Sequence, residues 1–105
     1  MSIFQGVMEE ELERNLRKQD AFRVELAKHS KGYLSICHID GCDYVYRKHR
    51  DDKRIVSVYI GPAGSEKAND AQKEREAYLL ARRSLKDLKE EEKRLRKAIK
   101  DYAKL

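Results

Sequence analysis

The chain has no tryptophan, one proline, two phenylalanines and two cysteines. Cys37 and Cys42 are too few to build a disulfide framework. Met1 to Gly6 is too short, and too soon followed by Glu9, Glu10 and Glu11, to serve as a secretory signal. A reducing cytoplasm is therefore the expected setting. Apolar runs extend only a few residues, so no segment is expected to span a bilayer, and no membrane partner is expected. A glycine-rich phosphate loop is also lacking. Gly61-Pro62-Ala63-Gly64 precedes a helical stretch but has no lysine-serine ending, and reads as a connector.

Charge is abundant. Charged residues make up 41% of the 105 residues, against about 25% in ordinary domains. The two signs alternate along segments with apolar periodicity, which marks solvated helix faces rather than disorder. The net charge is +5 and the isoelectric point about 9.2, compatible with a polyanionic partner. The surplus sits in the last third: residues 1–30 carry −1, residues 31–70 carry +1 and residues 71–105 carry +5.

This size leaves room for one small domain, residues 1–105. In a first region, about 7–29, Met8, Leu12, Leu16, Phe22 and Leu26 share one side of a helix. The middle, about 33–60, changes period. Tyr33 to Ile39 is rich in strand formers, and Asp40-Gly41 is a strong hairpin signal because its turn needs positive φ. Asp43 to His49 returns, Arg50 to Lys53 turns again, and Arg54 to Ile60 makes a third strand. A final region, about 68–104, steps by three and four through Tyr78, Ala81, Leu85, Leu88, Glu92, Leu95, Ile99 and Tyr102, a heptad seam with one polar member. Ser65, Asn69 or Asp70 can cap it. The expected fold is α+β: an N-terminal helix, a three-stranded antiparallel meander and a long, coiled-coil-like C-terminal helix.

Registering the first hairpin on Asp40-Gly41 sets Ile39 opposite Cys42, Cys37 opposite Tyr44 and Ile36 opposite Val45. With Asp51-Asp52 as the second turn, Val45 faces Val58, Arg47 faces Val56 and Tyr44 faces Tyr59. Side chains alternate between the faces of a sheet. One face then holds Leu34, Ile36, Val45, Val56, Val58 and Ile60 for packing. The other holds Tyr33, Ser35, Cys37, Tyr44, Tyr46, Lys48, Ser57 and Tyr59. Tyrosines simply suit strands and pair across them. They also stack bases, and cations neutralise phosphates. The expected nucleic-acid-binding residues are Tyr33, Tyr44, Tyr46, Lys48, Arg50, Lys53, Arg54 and Tyr59, with DNA favoured over RNA.

Catalytic chemistry finds little support. Cys37, His38, Cys42 and His49 invite a zinc reading, but the two cysteines share one face and the two histidines the other. The cysteines read as small apolar residues. No metal, cofactor, small-molecule substrate or catalytic residue is expected, and the chain reads as a non-enzyme. The competing role is a scaffold or interaction subunit. The last helix is expected to overhang the first by about ten residues, and overhanging heptads commonly pair with a second copy. Homodimerisation would then run through Leu85, Leu88, Leu95, Ile99 and Tyr102.

The middle region resembles a small bacterial domain family whose pattern is Lys-Gly, a strand, Gly, a Tyr-rich strand, Arg, Lys, then Ser-x-Tyr-Ile-Gly. The matching residues are Lys31, Gly32, Gly41, Tyr44, Tyr46, Arg50, Lys53, Ser57, Tyr59, Ile60 and Gly61. It is similar, more distantly, to the three-stranded DNA-binding modules that precede tyrosine-integrase catalytic domains. The resemblance implies a mobile-element or DNA-handling context. The chain departs from those modules in its long second helix.

Overall fold

A computed structural model describes residues 3–29 and 32–104. Lys31 of the resemblance pattern lies outside the described residues. The elements run α1 (Ile3–Lys28), β1 (Tyr33–Ile39), β2 (Cys42–Asp51), β3 (Arg54–Pro62) and α2 (Glu66–Ala103). The α+β order of helix, three-stranded antiparallel sheet and long helix is as the sequence predicts. The chain divides into two compact units, Met1–Lys28 with Leu80–Leu105, and His29–Leu79. No described helix is long and apolar enough to cross a membrane.

In the helical unit, α1 starts at Ile3, earlier than the apolar period alone predicts. A tertiary contact accounts for the extra turn: the Phe4 ring packs on Tyr102 with centroids 5.2 Å apart. That contact carries α1 out to the end of α2, so the overhang expected of the last helix is absent. The seam residues Leu85, Leu88, Leu95, Ile99 and Tyr102 are half-buried.

The most buried positions of α1 are not its leucines. Asn15 is 2% exposed and Gln19 is 1% exposed. They belong to a heptad of their own, Met8, Leu12, Asn15, Gln19, Phe22 and Leu26, stepping by four and three. Asn15 Nδ2 donates to the carbonyl of Leu88 at 2.9 Å. Gln19 Nε2 donates to Asn15 Oδ1 and to Glu92 Oε1, both at 2.7 Å. Arg23 Nη2 donates to Gln19 Oε1, and Arg96 Nε to Glu92 Oε2. Every polar atom of this layer that is sealed from water has a partner, as a low-dielectric interior requires. The Glu92 carboxyl is held below its ordinary value of 4.5, chiefly by the Gln19 hydrogen bond and next by Arg96. Polar residues at seam positions commonly fix helix register, and here the layer ties α1 to α2 at one level.

In the sheet unit the strand order is β1-β2-β3. Asp40 and Gly41 both take positive φ, 50° and 77°, and close the first hairpin with Ile39 opposite Cys42. The whole β1–β2 register follows the sequence expectation, including Ile36 opposite Val45 and Cys37 opposite Tyr44.

The second hairpin corrects it. Asp51 pairs with Arg54, so the turn is Asp52-Lys53, with Asp52 at φ 57°. Aspartate tolerates that left-handed conformation better than most side chains. Arg47 faces Val58 rather than Val56, and Tyr46 rather than Tyr44 faces Tyr59. A bulge then pairs Val45 with Gly61 and Tyr44 with Pro62, leaving Ile60 as the extra residue of β3. Between the turn and Tyr46 the expected register is off by two residues, and because the side-chain period is two, the faces there survive the error; past the bulge it is off by three, and Gly61 takes the place opposite Val45.

Ser65 caps α2. Its Oγ accepts from the Ala68 amide at 3.3 Å, and its carbonyl from Asn69 at 2.9 Å. Small residues on the first turns of α2, Ala68 and Ala71, are buried.

Candidate nucleic-acid interface

Alternation along the three strands, interrupted only by the bulge in β3, sorts their side chains. The rows Tyr33–Lys48–Ser57, Ser35–Tyr46–Tyr59 and Cys37–Tyr44–Pro62 lie on one face, with Ile39–Cys42 at one end and Arg50–Ile55 at the other. The rows Leu34–Arg47–Val58 and Ile36–Val45–Gly61 lie on the opposite face, with His38–Asp43, His49–Val56 and Asp51–Arg54.

The opposite face is the packed one. Val45 is 7% exposed. Arg47 lies 3.5 Å from Glu74 of α2, and His29 approaches the other oxygen of that carboxylate at 3.8 Å. Arg75 donates to the Gly32 carbonyl and lies over the Tyr78 ring, 5.2 Å from its centroid. Gly32 is required here: its φ is 115°, and a Cβ would collide with the Lys48 carbonyl. These contacts hold the start of α2 on the aliphatic side. That side is incompletely covered, since Ile36 and Val58 remain exposed.

The phenol-bearing face is open. Tyr59 is 52% exposed and sits between two ring neighbours, Tyr46 at 5.4 Å and 61°, and Tyr44 at 6.2 Å and 50°. Both arrangements are inclined, which suits aromatic quadrupoles better than a face-to-face sandwich. With Ile39 these three tyrosines line a shallow, open depression. The Asp52-Lys53 turn is what brings them together, because its register sets Tyr46 directly opposite Tyr59.

Charge divides by the same parity. The phenol face carries Lys48 and Arg50 and no carboxylate. Asp43 and Asp51 both point to the other side, where Asp43 pairs with His38 and Asp51 stands opposite Arg54. The structure thus brings Tyr33, Tyr44, Tyr46, Lys48, Arg50 and Tyr59 onto one surface. Lys53 is in the adjoining turn. Arg54 belongs to the opposite face and is separated from the rest. Sequence reasoning missed Ile39 and Ile55, which are 49% and 63% exposed on the phenol face. Their parity from Asp40-Gly41 and from the second turn was the available signal.

Cys37 and Cys42 are free thiols on the phenol face, while His38 and His49 lie on the other. The described residues contain no group of three or more His, Cys, Asp or Glu arranged to hold a metal ion. No protein-family model, curated protein or solved structure matches the chain.

Proposed function

We propose that the chain is a non-catalytic nucleic-acid-binding module, DNA being the favoured ligand, and that it binds through the phenol-bearing face of the sheet. The observation that carries this reading is the segregation of charge and aromatic surface. A cluster of three tyrosine rings, Tyr59 exposed and Tyr44 and Tyr46 half-buried, is flanked by Lys48 and Arg50, and every carboxylate of the strands is on the other side. A surface free of fixed negative charge lets a phosphate chain approach, and its π-faces can stack unpaired bases or border a groove. A strand ribbon fits the width of a major groove. Tyr44, Tyr46 and Tyr59 would stack or donate their hydroxyls. Lys48, Arg50 and Lys53 would meet phosphates. Arg54, across the sheet, is left out of the contact set. The resemblance to integrase-type modules supports the reading as an analogy of fold.

The test is an NMR titration of the full chain with a short duplex and with a single strand of the same sequence. Amide shifts concentrated at Tyr44, Tyr46, Lys48 and Tyr59 are expected. Shifts confined to α2, or none, refute the proposed face. Tighter binding of the single strand would mean that base stacking contributes most of the affinity; tighter binding of the duplex would mean groove docking.

A further inference from the structure

The two edges of the sheet are guarded differently. The β3 edge starts with Arg54, is interrupted by the bulge at Ile60 and ends at Pro62, which has no amide to offer. β1 is a run of seven residues, Tyr-Leu-Ser-Ile-Cys-His-Ile, with no lysine, arginine, carboxylate or proline and no break in its pairing. Among the described residues β2 is its only strand neighbour.

The direction of its free backbone groups follows from the hairpin. In a two-residue turn the flanking pair, here Ile39 and Cys42, exchanges both hydrogen bonds. Alternation then commits Tyr33, Ser35, Cys37 and Ile39 to β2. The amides and carbonyls of Leu34, Ile36 and His38 point outward. Three large side chains of this strand are exposed: Tyr33 at 47%, Ile36 at 60% and Ile39 at 49%. They are spaced evenly about Ile36.

We propose that a second copy of the chain pairs antiparallel along β1, with the twofold axis at Ile36. Ile36 then meets Ile36 of the second copy, Leu34 meets His38, and Tyr33 meets Ile39. Outward groups at Leu34, Ile36 and His38 satisfy one another in about six hydrogen bonds. Only registers that match these outward residues with each other are allowed. The one centred on Ile36 overlaps the whole strand and lays each exposed apolar side chain on another. Any extended peptide could bond to the edge. A strand with this same spacing is needed to cover all three side chains, and the chain itself provides one. With no formal charge on the strand, the pairing sets no like charges of β1 against each other. The resulting sheet is twice as wide, and the two phenol-bearing faces lie on the same side of it.

Sedimentation of the full chain over a wide concentration range tests this, with two variants. Ile36→Lys sets two ammonium groups against each other at the axis while leaving the β1–β2 bonds intact. Ser35→Cys in a Cys42→Ser background sets the new thiol opposite Cys37 of the second copy, where mild oxidation with diamide closes a disulfide between copies. The expected results are a reversible dimer for the parent chain, a monomer for Ile36→Lys with an unchanged far-UV spectrum, and a covalent dimer for the double variant. A parent chain monomeric throughout, a dimer that survives Ile36→Lys, or a double variant that does not cross-link overturns the proposal. Should Ile36→Lys unfold, the cross-linking result decides alone.

Discussion

Truncating Gln19 to alanine probes the part of the fold that departs most from an apolar core. Gln19 is 1% exposed and joins three groups: its amide nitrogen donates to Asn15 and Glu92, and its oxygen accepts from Arg23. In the variant, Asn15 Oδ1 loses its donor in a site where Asn15 is 2% exposed. A buried acceptor without a partner costs about 1–3 kcal/mol, and the cavity adds to that. The expected loss is about 2–3 kcal/mol, read by urea unfolding followed at the helical circular-dichroism band. The pH dependence sharpens the test. Glu92 has a depressed folded-state pKa, with the Gln19 hydrogen bond as its largest cause. A depressed carboxylate contributes stability above its unfolded value of 4.5, and loses it as pH falls through the folded value. The gap between parent and Gln19→Ala should therefore narrow as pH falls below about 4.5. A gap below about 0.5 kcal/mol at neutral pH, or one that widens on acidification, refutes the reasoning.

Two further substitutions test the sheet unit. Gly32→Ala combines φ 115° with a Cβ driven into the Lys48 carbonyl, and should cost more than about 2 kcal/mol in thermal or urea unfolding. Ser65→Ala removes the oxygen that accepts from the Ala68 amide, and should cost about 1 kcal/mol, with hydrogen exchange accelerated first at Lys67 and Ala68.

Most of the architecture is legible in the residues because the signals are local. Asp40-Gly41 dictates its turn through backbone conformation, and every β1–β2 pair follows from that one anchor. The second hairpin is misregistered from sequence because Asp51 and Asp52 are chemically alike, and only the tertiary structure selects which begins the turn. The bulge at Ile60 leaves no local mark, since isoleucine suits a regular strand equally well. From the turn to Tyr59 the faces are nonetheless right, because there the register error is two residues and preserves parity. The polar layer of α1 escapes for a different reason. Counting hydrophobic residues passes over Asn15 and Gln19, while counting heptad positions from Met8 through Leu12 places both on the seam. The reach of α1 to Tyr102 depends on Phe4, which lies beyond the apolar stripe expected to start the helix. Nearness in sequence groups Arg54 with the other cations, and alternation along β3 separates it from them.

In the proposed complex Lys48, Arg50 and the adjoining Lys53 face a phosphate chain across the phenol-bearing surface. The most direct measurement is the salt dependence of duplex binding by the full chain and by Lys48→Gln/Arg50→Gln. Each neutralised phosphate contributes a slope of about −0.9 in log affinity against log salt, so three contacts give about −2.7. Affinity should fall about 40-fold between about 50 and 200 mM salt, and the double variant should retain a slope of about −0.9. An affinity indifferent to salt, or an unchanged slope in the double variant, contradicts the account.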